Sequence, residues 1–294
     1  MKIIENKNLK EMSWWKVGGS AEFFCQPKNL SELQEGLKWA KENKKEFSVL
    51  GGGTNVLISD LGVKGLLIST ALLSSYSENK TKNHLLITCG SGLLKTQLMK
   101  IFKSYKLAPA LFLSGIPGDV GGGVVMNAGV SREFKPSKFS EIVKSFKTVS
   151  FEGIKTYLKE DIKWSYRKSQ GWQKAVIYEV DLEWPLIEEP DLNSQLKEEL
   201  KKRRANQPLD KSSCGSVFKN PYPQFAGELI EKSGLKGLKQ GYAQVSEKHA
   251  NFIVNTGGAK SADIHKLIQT IKQTVFNKFA VSLETEVHYL GSWD

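Results

Sequence analysis

The sequence predicts a globular chain of about two domains that contains both helices and strands. Its 294 residues exceed the roughly 150 of an average domain. Hydrophobic residues make up 40% of the chain and charged residues 25%, which are ordinary globular proportions. Segments with helical and with strand-like periodicity also alternate along the chain. These observations exclude a disordered, collagenous or coiled-coil protein.

The N-terminal elements begin with a predicted strand in AEFFCQP, followed by an amphipathic helix in NLSELQEGLKWAKEN. Ser31 can cap this helix, with Gln34 three residues later. Its apolar face consists of Leu30, Leu33, Leu37 and Ala40. The strand-like FSVL then enters the loop Gly51-Gly52-Gly53-Thr54-Asn55, which leads directly into a second strand-like run, VLISD.

This glycine loop joins two strands, which disfavours both common nucleotide-binding motifs. A Rossmann fingerprint opens a helix and has glycine at its sixth position, where this chain has Val56. The Gly-Lys-Ser/Thr of a P-loop is absent. A second glycine-rich stretch, SGIPGDVGGGVVMNAG, spans residues 114–129 and is followed by no immediate helical pattern. Either loop alone is explained by tight turns, but together they are more specific for backbone N–H groups that approach a diphosphate.

The later elements are two helices and a strand. Three prolines, at 185, 190 and 208, bracket DLNSQLKEELKKRRANQ, a predicted connecting helix at a domain boundary with a stripe of Leu192, Leu196 and Leu200. KSADIHKLIQTIKQTVFNKF predicts a helix with one apolar face, formed by Ile264, Leu267, Ile268, Ile271 and Val275. VSLETEVHYLG alternates apolar and polar residues, which predicts a strand with one buried face.

The chain is basic, with a formal charge of +11. Residues 201–294 hold 14 Lys and Arg against 8 Asp and Glu, so the last third carries more than half of this excess. A solvated basic surface and a field that attracts an anionic ligand explain the excess about equally well. RNA binding is less favoured, because aromatic residues are not interleaved with the basic runs.

No segment indicates export, membrane insertion or a metal site. We expect no secretory leader, because the first residues mix charges with apolar residues and show no apolar core before a small-residue cleavage site. No apolar run approaches the roughly 18 residues needed to cross a bilayer. Cys25, Cys89 and Cys214 lie far apart without a CxxC motif, as in a cytoplasmic protein. The four histidines form no HExxH pair and no cluster with cysteine, so no metal is expected.

Four polar residues could carry chemistry. Arg167, in DIKWSYRKS, can hold a carboxylate through both oxygens, although a surface arginine is the more common case. Ser216, in CGSVFKNP, fits no hydrolase motif but could donate a proton to an enolate, with a turn serine as the alternative. Glu284 and Glu286 share a strand face. If both are buried, repulsion would keep one protonated; a solvated sheet edge is equally compatible.

In chain order, the most informative motifs are WKVGGSAEFF, VLGGGTNVLISD, SGIPGDVGGGVVMNAG, WSYRKS, GSVFKNP, AGELIEKSGLKG, AQVSEKHANFIVN and LETEVHYLG. This succession resembles the UDP-N-acetylenolpyruvoylglucosamine reductase family over nearly the whole chain. GSVFKNP and VSEKHANFIVN are the most specific motifs, whereas the glycine loops alone indicate only FAD-binding oxidoreductases in general. The short chain resembles the family branch that lacks an extra tyrosine-bearing loop.

The resemblance implies an α+β fold in which a two-lobed, PCMH-type FAD-binding unit precedes a C-terminal α+β substrate domain. The expected domains are residues 1–65 and 66–190 for the two FAD-binding lobes and 191–294 for the substrate domain. The implied reaction reduces UDP-N-acetyl-3-O-(1-carboxyvinyl)glucosamine to UDP-N-acetylmuramate for peptidoglycan synthesis. NADPH reduces FAD, which passes a hydride to C3 while a proton reaches C2. A cytoplasmic monomer whose partners are these small molecules, with no nucleic acid or membrane, is expected.

The resemblance also assigns roles to residues. Arg167 and Glu286 would stabilise the enol-like intermediate, and Ser216 would protonate C2. The substrate would meet Lys219, Asn220 and Lys248. The expected FAD contacts are Gly51, Gly52, Gly53, Thr54, Asn55, Gly115, Ile116, Gly118, Gly121, Gly122, Asn127 and Ala128.

Some positions depart from the family pattern. Asp119 stands where the family has a neutral residue, and a carboxylate near a diphosphate is repulsive unless it points away or pairs with a cation. Gly123 replaces a frequent alanine, and Trp14 and Trp15 replace smaller or single aromatic residues.

Two other functions stay open on the sequence. One is a different FAD oxidoreductase of the same two-lobed type that acts on a sugar or alcohol with oxygen. The other is a basic nucleic-acid-binding protein, whose affinity would fall steeply with salt.

Overall fold

A computed structural model describes residues 1–130, 134–172 and 174–293. The chain divides into two compact units. The first unit consists of residues 1–4, 24–52 and 65–203, and the second of residues 5–23, 53–64 and 204–294. Both units are therefore assembled from segments that are distant in the sequence. The expected division at residues 65 and 190 stays a prediction.

Strands and helices both contribute to the described residues. The strands are β1 Ile4–Asn8, β2 Ser20–Cys25, β3 Phe47–Leu50, β4 Val56–Ile58, β5 Val63–Ser69, β6 Tyr76–Lys80, β7 His84–Gly90, β8 Val143–Ser150, β9 Gly153–Leu158, β10 Lys163–Ser165, β11 Lys168–Gln170, β12 Val176–Pro185, β13 Lys239–Gln240, β14 Ala243–Val245, β15 Ile253–Asn255 and β16 His288–Leu290. The α-helices are α1 Leu30–Glu42, α2 Lys95–Ser104, α3 Pro109–Leu113, α4 Val120–Val125, α5 Leu192–Asn206, α6 Ala226–Lys232 and α7 Ser261–Phe279.

The largest sheet of the first unit is antiparallel, in the order β6-β7-β12-β8-β9. Strand alternation gives it one apolar and one polar face. Apolar side chains such as Phe146 and Val180 join one buried core with Phe102 and Phe112 from α2 and α3. On the polar side, Asp181 accepts hydrogen bonds of 2.6 Å from the hydroxyl groups of Thr88 and Ser145. This scaffold positions α4 and the loop that precedes it.

A second sheet has the order β1-β2-β5-β3, with β3 and β5 parallel. Helix α1 precedes β3 and buries the predicted Leu33, Leu37 and Ala40, while Leu30 is half-buried. The predicted N-cap at Ser31 is wrong. Asn29 caps the helix instead, because its side chain accepts a 3.0 Å hydrogen bond from the Glu32 N–H.

The second unit has its own apolar core, which contains the predicted apolar face of α7. The antiparallel strands β13, β14 and β15 and the parallel pair of β16 and β4 complete this unit. Trp15 is fully buried, and its indole N–H donates a 2.6 Å hydrogen bond to the Ile253 carbonyl. Trp14, by contrast, is 49% exposed. The unusual tandem of tryptophans thus places only Trp15 in the core.

Two other predicted elements have different extents. The second glycine stretch contains α4, which the sequence analysis did not identify, because its three consecutive glycines weaken the helical pattern without preventing a packed helix. In the last predicted strand only His288–Leu290 is regular, although Leu283 and Val287 are buried as the alternation predicts. The connecting helix is confirmed as α5, which buries Leu192 and Leu196 but leaves Leu200 exposed.

The three cysteines are free and buried. Burial raises the pKa values of Cys25 and Cys214 to about 12. Across the described part of the chain, no helix has the length and apolar character needed to span a membrane.

Candidate active site

In the first unit, the two glycine-rich stretches pack against each other through their backbones. A Cβ atom on Gly51 would lie 2.6 Å from Oδ2 of Asp119, and one on Gly52 would lie 3.0 Å from Cα of Gly118. Gly118 itself has a φ of +91°. These contacts leave no room for side chains between the loops, so the loops can offer backbone groups to a ligand at close range.

Helix α4 begins in the second glycine stretch. Its N-cap is Asp119, whose Oδ1 accepts a 2.8 Å hydrogen bond from the Gly122 N–H. The Gly121 N–H donates to the Ser91 carbonyl at 2.7 Å, and a Cβ on Gly121 would lie 2.8 Å from the Ser91 side chain. Asp119 therefore points inward to the helix start, which resolves the direction that the sequence left open.

Arg167 lies at the turn of the β10–β11 hairpin, with a φ of +57°. Its guanidinium is 5.1 Å from the centroid of the Tyr166 ring, which orients it by a cation–π contact. Asn127 supports the hairpin: its Nδ2 donates to the Ser165 carbonyl at 3.1 Å, and its Oδ1 accepts from the Ser140 N–H at 2.9 Å. The side chain of Asn127, an expected FAD contact, therefore stabilises the hairpin that carries Arg167.

The sequence did not indicate Arg203, which reaches the second glycine stretch from α5. Its guanidinium donates a 3.3 Å hydrogen bond to the Ser114 carbonyl and lies 3.4 Å from a Cβ built on Gly115. Partial burial lowers its pKa, but an arginine remains charged. The first unit therefore places a cation beside Ser114 and Gly115. The sequence KKRR contains four basic residues in a row, so charge alone could not indicate that Arg203 is the partly buried one.

In the second unit, Gly53, Thr54 and Asn55 continue the first glycine loop. Gly53 has a φ of +66°, and a Cβ there would lie 1.9 Å from the Met12 carbonyl oxygen. Asn55 joins this loop to the C-terminal segment: its Nδ2 donates to the Glu286 carbonyl at 3.0 Å, and its own carbonyl accepts from His288 N–H at 3.0 Å. Asn55 therefore has a structural use besides any ligand contact.

The segment with Ser216 is fastened to the segment with Glu286. The Glu286 N–H donates to the Val217 carbonyl at 2.7 Å, and the Lys219 N–H donates to the Glu284 carbonyl at 2.9 Å. Residues Phe218 and Thr285 form an antiparallel bridge between these bonds. The structure thus places Ser216 and Glu286 on neighbouring, hydrogen-bonded chain segments in the second unit. Both side chains are half-buried.

A buried amide, Asn251, holds the same segment from the other side. Its Oδ1 accepts from the Phe218 N–H at 2.9 Å, its Nδ2 donates to the Phe218 carbonyl at 2.8 Å, and its own carbonyl accepts from the Val217 N–H at 2.8 Å. Asn251 is 4% exposed. It lies within the motif AQVSEKHANFIVN, but the sequence alone assigned it no role. The only indication in the sequence of a structural role for Asn251 was that this polar residue lies next to an apolar run.

The expected substrate contacts all lie in the second unit. Lys219 forms an ion pair of 2.5 Å with Glu284, whose side chain is 72% exposed. The Asn220 Oδ1 accepts from the Ala226 N–H at 3.1 Å, and Lys248 donates to the Arg204 carbonyl at 2.5 Å. The hypothesis of a buried Glu284–Glu286 pair is wrong, because Glu284 faces solvent.

These features fit a flavin nucleotide. Backbone approach at Gly51, Gly52 and Gly118 forms a cradle that Cβ atoms would fill, and Arg203 adds a cation to the second loop. The described residues contain no cluster of His, Cys, Asp and Glu that could hold a metal ion. Fold and side chains together define the class as FAD-binding oxidoreductases.

Comparisons with known proteins agree with this class. A model of an FAD binding domain matches residues 21–155, and a model of the UDP-N-acetylenolpyruvoylglucosamine reductase C-terminal domain matches residues 207–290. The UDP-N-acetylenolpyruvoylglucosamine reductase of Halalkalibacterium halodurans is 36% identical over 97% of this chain and 93% of its own length. A protein of the same name from Listeria monocytogenes is 36% identical over 97% of this chain and 94% of its own length.

A solved structure gives the same result. The crystal structure of UDP-N-acetylenolpyruvylglucosamine reductase (MurB) from Thermus caldophilus matches with a TM-score of 0.80 and 28% identity, covering 98% of each chain. This chain belongs to the UDP-N-acetylenolpyruvoylglucosamine reductase family. The predicted α+β fold, with an FAD-binding unit followed by a C-terminal substrate domain, is confirmed by the order of the two matched domains.

Proposed function

We propose that this chain reduces UDP-N-acetyl-3-O-(1-carboxyvinyl)glucosamine to UDP-N-acetylmuramate, with FAD as cofactor and NADPH as reductant, in peptidoglycan precursor synthesis. Membership of the reductase family supports this function. The structural observation that carries the proposal is the junction of the Ser216 and Glu286 segments, made by the 2.7 Å bond from the Glu286 N–H to the Val217 carbonyl.

The proposed FAD contacts lie in the two glycine-rich stretches. They are Gly51, Gly52, Gly53, Thr54, Asn55, Gly115, Ile116, Gly118, Gly121, Gly122, Asn127 and Ala128. Bound FAD would supply the hydride that NADPH provides. The glycine positions would let the backbone approach phosphate oxygens closely, because no side chain intervenes. The N–H groups of Gly121 and Gly122 already donate to Ser91 and Asp119, so N–H contacts to phosphate are proposed for the first stretch.

Arg167 is the proposed electrophilic group. Hydride addition to C3 of the enolpyruvyl group leaves a pair of electrons delocalised over C2 and the carboxylate. A guanidinium can hold both carboxylate oxygens in one plane and so stabilise this charge. The cation–π contact with the Tyr166 ring favours one orientation of the guanidinium.

Ser216 is the proposed proton donor to C2, and Glu286 the proposed partner of Arg167 in stabilising the intermediate. A hydroxyl group is a weak acid, but the acceptor here is a strongly basic carbanion. The backbone bonds to Asn251 and Glu286 restrict the position of the Ser216 segment, so its hydroxyl group can be aligned without reordering the loop. Lys219, Asn220 and Lys248 are the proposed contacts to the anionic substrate.

We also propose that the protein acts as a monomer in the cytoplasm, on these small molecules and without nucleic acid or membrane partners. Three buried free cysteines are compatible with a reducing compartment. The proposed domain division is residues 1–65, 66–190 and 191–294. Light scattering after size exclusion would test the monomer, and a dimeric mass at micromolar concentration would contradict it.

Replacing Ser216 by alanine tests the proton donor. NADPH should bleach the flavin absorbance of Ser216→Ala at the wild-type rate. Reoxidation by the enolpyruvyl nucleotide should slow at least about 100-fold, because one general acid is lost. Ser212→Ala, a nearby serine without an assigned role, is the matched control. Wild-type turnover by Ser216→Ala would refute the role.

Replacing Arg167 by alanine separates chemistry from cofactor binding. We expect Arg167→Ala to retain FAD but to lose product formation, whereas the exposed Lys168→Ala should change neither. Loss of FAD with normal turnover for each bound flavin would contradict the assignment. Oxygen consumption without NADPH would instead favour an oxidase of the same fold class.

A further inference from the structure

Two opposite charges are buried where the glycine-rich stretches meet in the first unit. Lys95 is 4% exposed and Asp119 is 2% exposed. Lys95 begins α2, and its N–H donates to the Gly118 carbonyl at 2.9 Å, next to an antiparallel bridge between Leu94 and Asp119. The backbone segments that carry Lys95 and Asp119 are therefore bonded to each other, which holds the two charged residues in the same region.

The hydrogen bonds of the two charged groups are incomplete within the part of the chain that the structure describes. The Lys95 ammonium donates to the Pro117 carbonyl at 3.0 Å. Asp119 uses Oδ1 to cap α4, while its buried Oδ2 makes no hydrogen bond of ordinary geometry to a described residue, although the Gly52 N–H also favours the charged carboxylate. That oxygen lies 2.6 Å from the position of a Cβ on Gly51. A buried carboxylate oxygen without a donor is costly unless a nearby cation compensates its charge.

Electrostatics link the two groups. Burial raises the pKa of Asp119, and Lys95 opposes that rise. Burial lowers the pKa of Lys95 to about 8, with Asp119 raising it and Arg167 lowering it. Each group therefore favours the charged form of the other.

The location creates a conflict with the cofactor. A carboxylate beside loops that hold a diphosphate repels it, more strongly in a buried site than in water. Capping α4 does not require a charge, since asparagine, serine and threonine cap helices as well. The buried ammonium of Lys95 can offset this conflict, because its positive charge lies in the same buried region and acts electrostatically on the Asp119 carboxylate without forming a close ion pair with it.

We propose that Lys95 is a positioning residue for FAD: its ammonium group neutralises the Asp119 carboxylate between the two glycine loops, so that the pair presents no net negative charge to the diphosphate. The inference rests on the proposed FAD contacts. It predicts opposite effects for the two single substitutions. Loss of Lys95 leaves an anion that repels FAD, whereas loss of the Asp119 charge leaves a cation that attracts it.

The test measures FAD affinity directly, without turnover. Apoproteins of wild type, Lys95→Met, Asp119→Asn and the double variant are titrated with FAD, and flavin fluorescence gives the dissociation constant. We expect Lys95→Met to weaken binding at least tenfold and Asp119→Asn to tighten it two- to tenfold. The double variant should return to within threefold of wild type. Lys100→Met, an exposed lysine on α2, should bind FAD as wild type does.

A purely structural pair predicts a different pattern. Both single substitutions would then weaken FAD binding, and the double variant would bind no better than Lys95→Met. Either result overturns the proposal. Lys95→Arg keeps the charge and should retain more affinity than Lys95→Met; equal losses would also count against charge compensation.

Two readouts keep the test decisive. The melting temperature of each apoprotein reports folding separately from affinity. If Lys95→Met does not fold, Asp119→Asn and the double variant still decide, since weaker binding by Asp119→Asn refutes the proposal. A wild-type apoprotein that fails to bind FAD would instead refute the proposed cofactor contacts.

Discussion

The glycine-loop region of the first unit and the Ser216 segment of the second unit hold their polar groups in different ways. The first buries two opposite charges, Lys95 and Asp119, among close backbone contacts. The second buries a neutral amide, Asn251, and leaves its ion pair near solvent, with Glu284 72% exposed. One region depends on charge compensation, and the other depends on satisfied hydrogen bonds.

The difference predicts which substitutions each region tolerates. Removing one member of a buried ion pair leaves an uncompensated charge, whereas replacing both members is often nearly neutral. Removing a buried amide leaves its backbone partners unsatisfied, at a smaller cost for each group. An exposed ion pair is weakened by solvent and contributes little. Four measurements test this ranking.

The largest effect should follow from breaking the buried pair. Lys95→Met should lower the free energy of unfolding of the apoprotein by about 3 to 5 kcal/mol, because Asp119 loses its compensating charge. The double variant with Asp119→Asn should recover most of this loss. Urea unfolding followed by circular dichroism measures both. A double variant as unstable as Lys95→Met would show that packing, and not charge, controls this region.

Removing the amide should have the next largest effect. Asn251→Ala leaves the buried Phe218 N–H and carbonyl without their partner, at a cost of about 2 to 4 kcal/mol. Because the Ser216 segment loses its support, kcat should fall while FAD affinity stays at the wild-type value. Asn277→Ala, an exposed position on α7, is the control. An unchanged kcat would separate Asn251 from the reaction.

The pH dependence caused by Lys95 should belong to the first region. The pKa of Lys95 is about 8 in the folded chain against an ordinary value of 10.5, so between these values the unfolded chain binds more protons. The free energy of unfolding contributed by Lys95 therefore rises with pH across this window, with Asp119 and Arg167 as the charged groups that act on it. Unfolding of wild type and of the Lys95→Met/Asp119→Asn variant from pH 7 to pH 10 tests this. Parallel curves would contradict it.

The smallest effect should come from the exposed pair. Glu284→Gln removes the ion pair with Lys219, and the free energy of unfolding should change by less than about 1 kcal/mol. Because Lys219 is then free to meet an anion, KM for the sugar nucleotide should stay equal or fall. Steady-state kinetics and urea unfolding give both values. A rise in KM would indicate that Glu284 orients Lys219 for the substrate.

Local patterns predicted most of the regular elements. The 3.6-residue periodicity located α1, α5 and α7, and the glycine loop between two strands correctly disfavoured a Rossmann fingerprint. The sequence was less informative where a local pattern is compatible with more than one structure. Asn29 rather than Ser31 caps α1, and α4, inside the second glycine stretch, was not identified from the sequence. Both depend on packing, which a short window of sequence does not contain.

The sequence by itself determined the family, through the order and spacing of its motifs, and the residue types available for the reaction. It left the surroundings of those residues open. Only the tertiary structure decided that Lys95 and Asp119 are buried together, that Asn251 clamps the Ser216 segment, and that Glu284 faces solvent. The physical reason is that periodicity reflects neighbours along the chain. The burial and pairing of a polar group depend on residues that are distant in sequence and meet only in the fold.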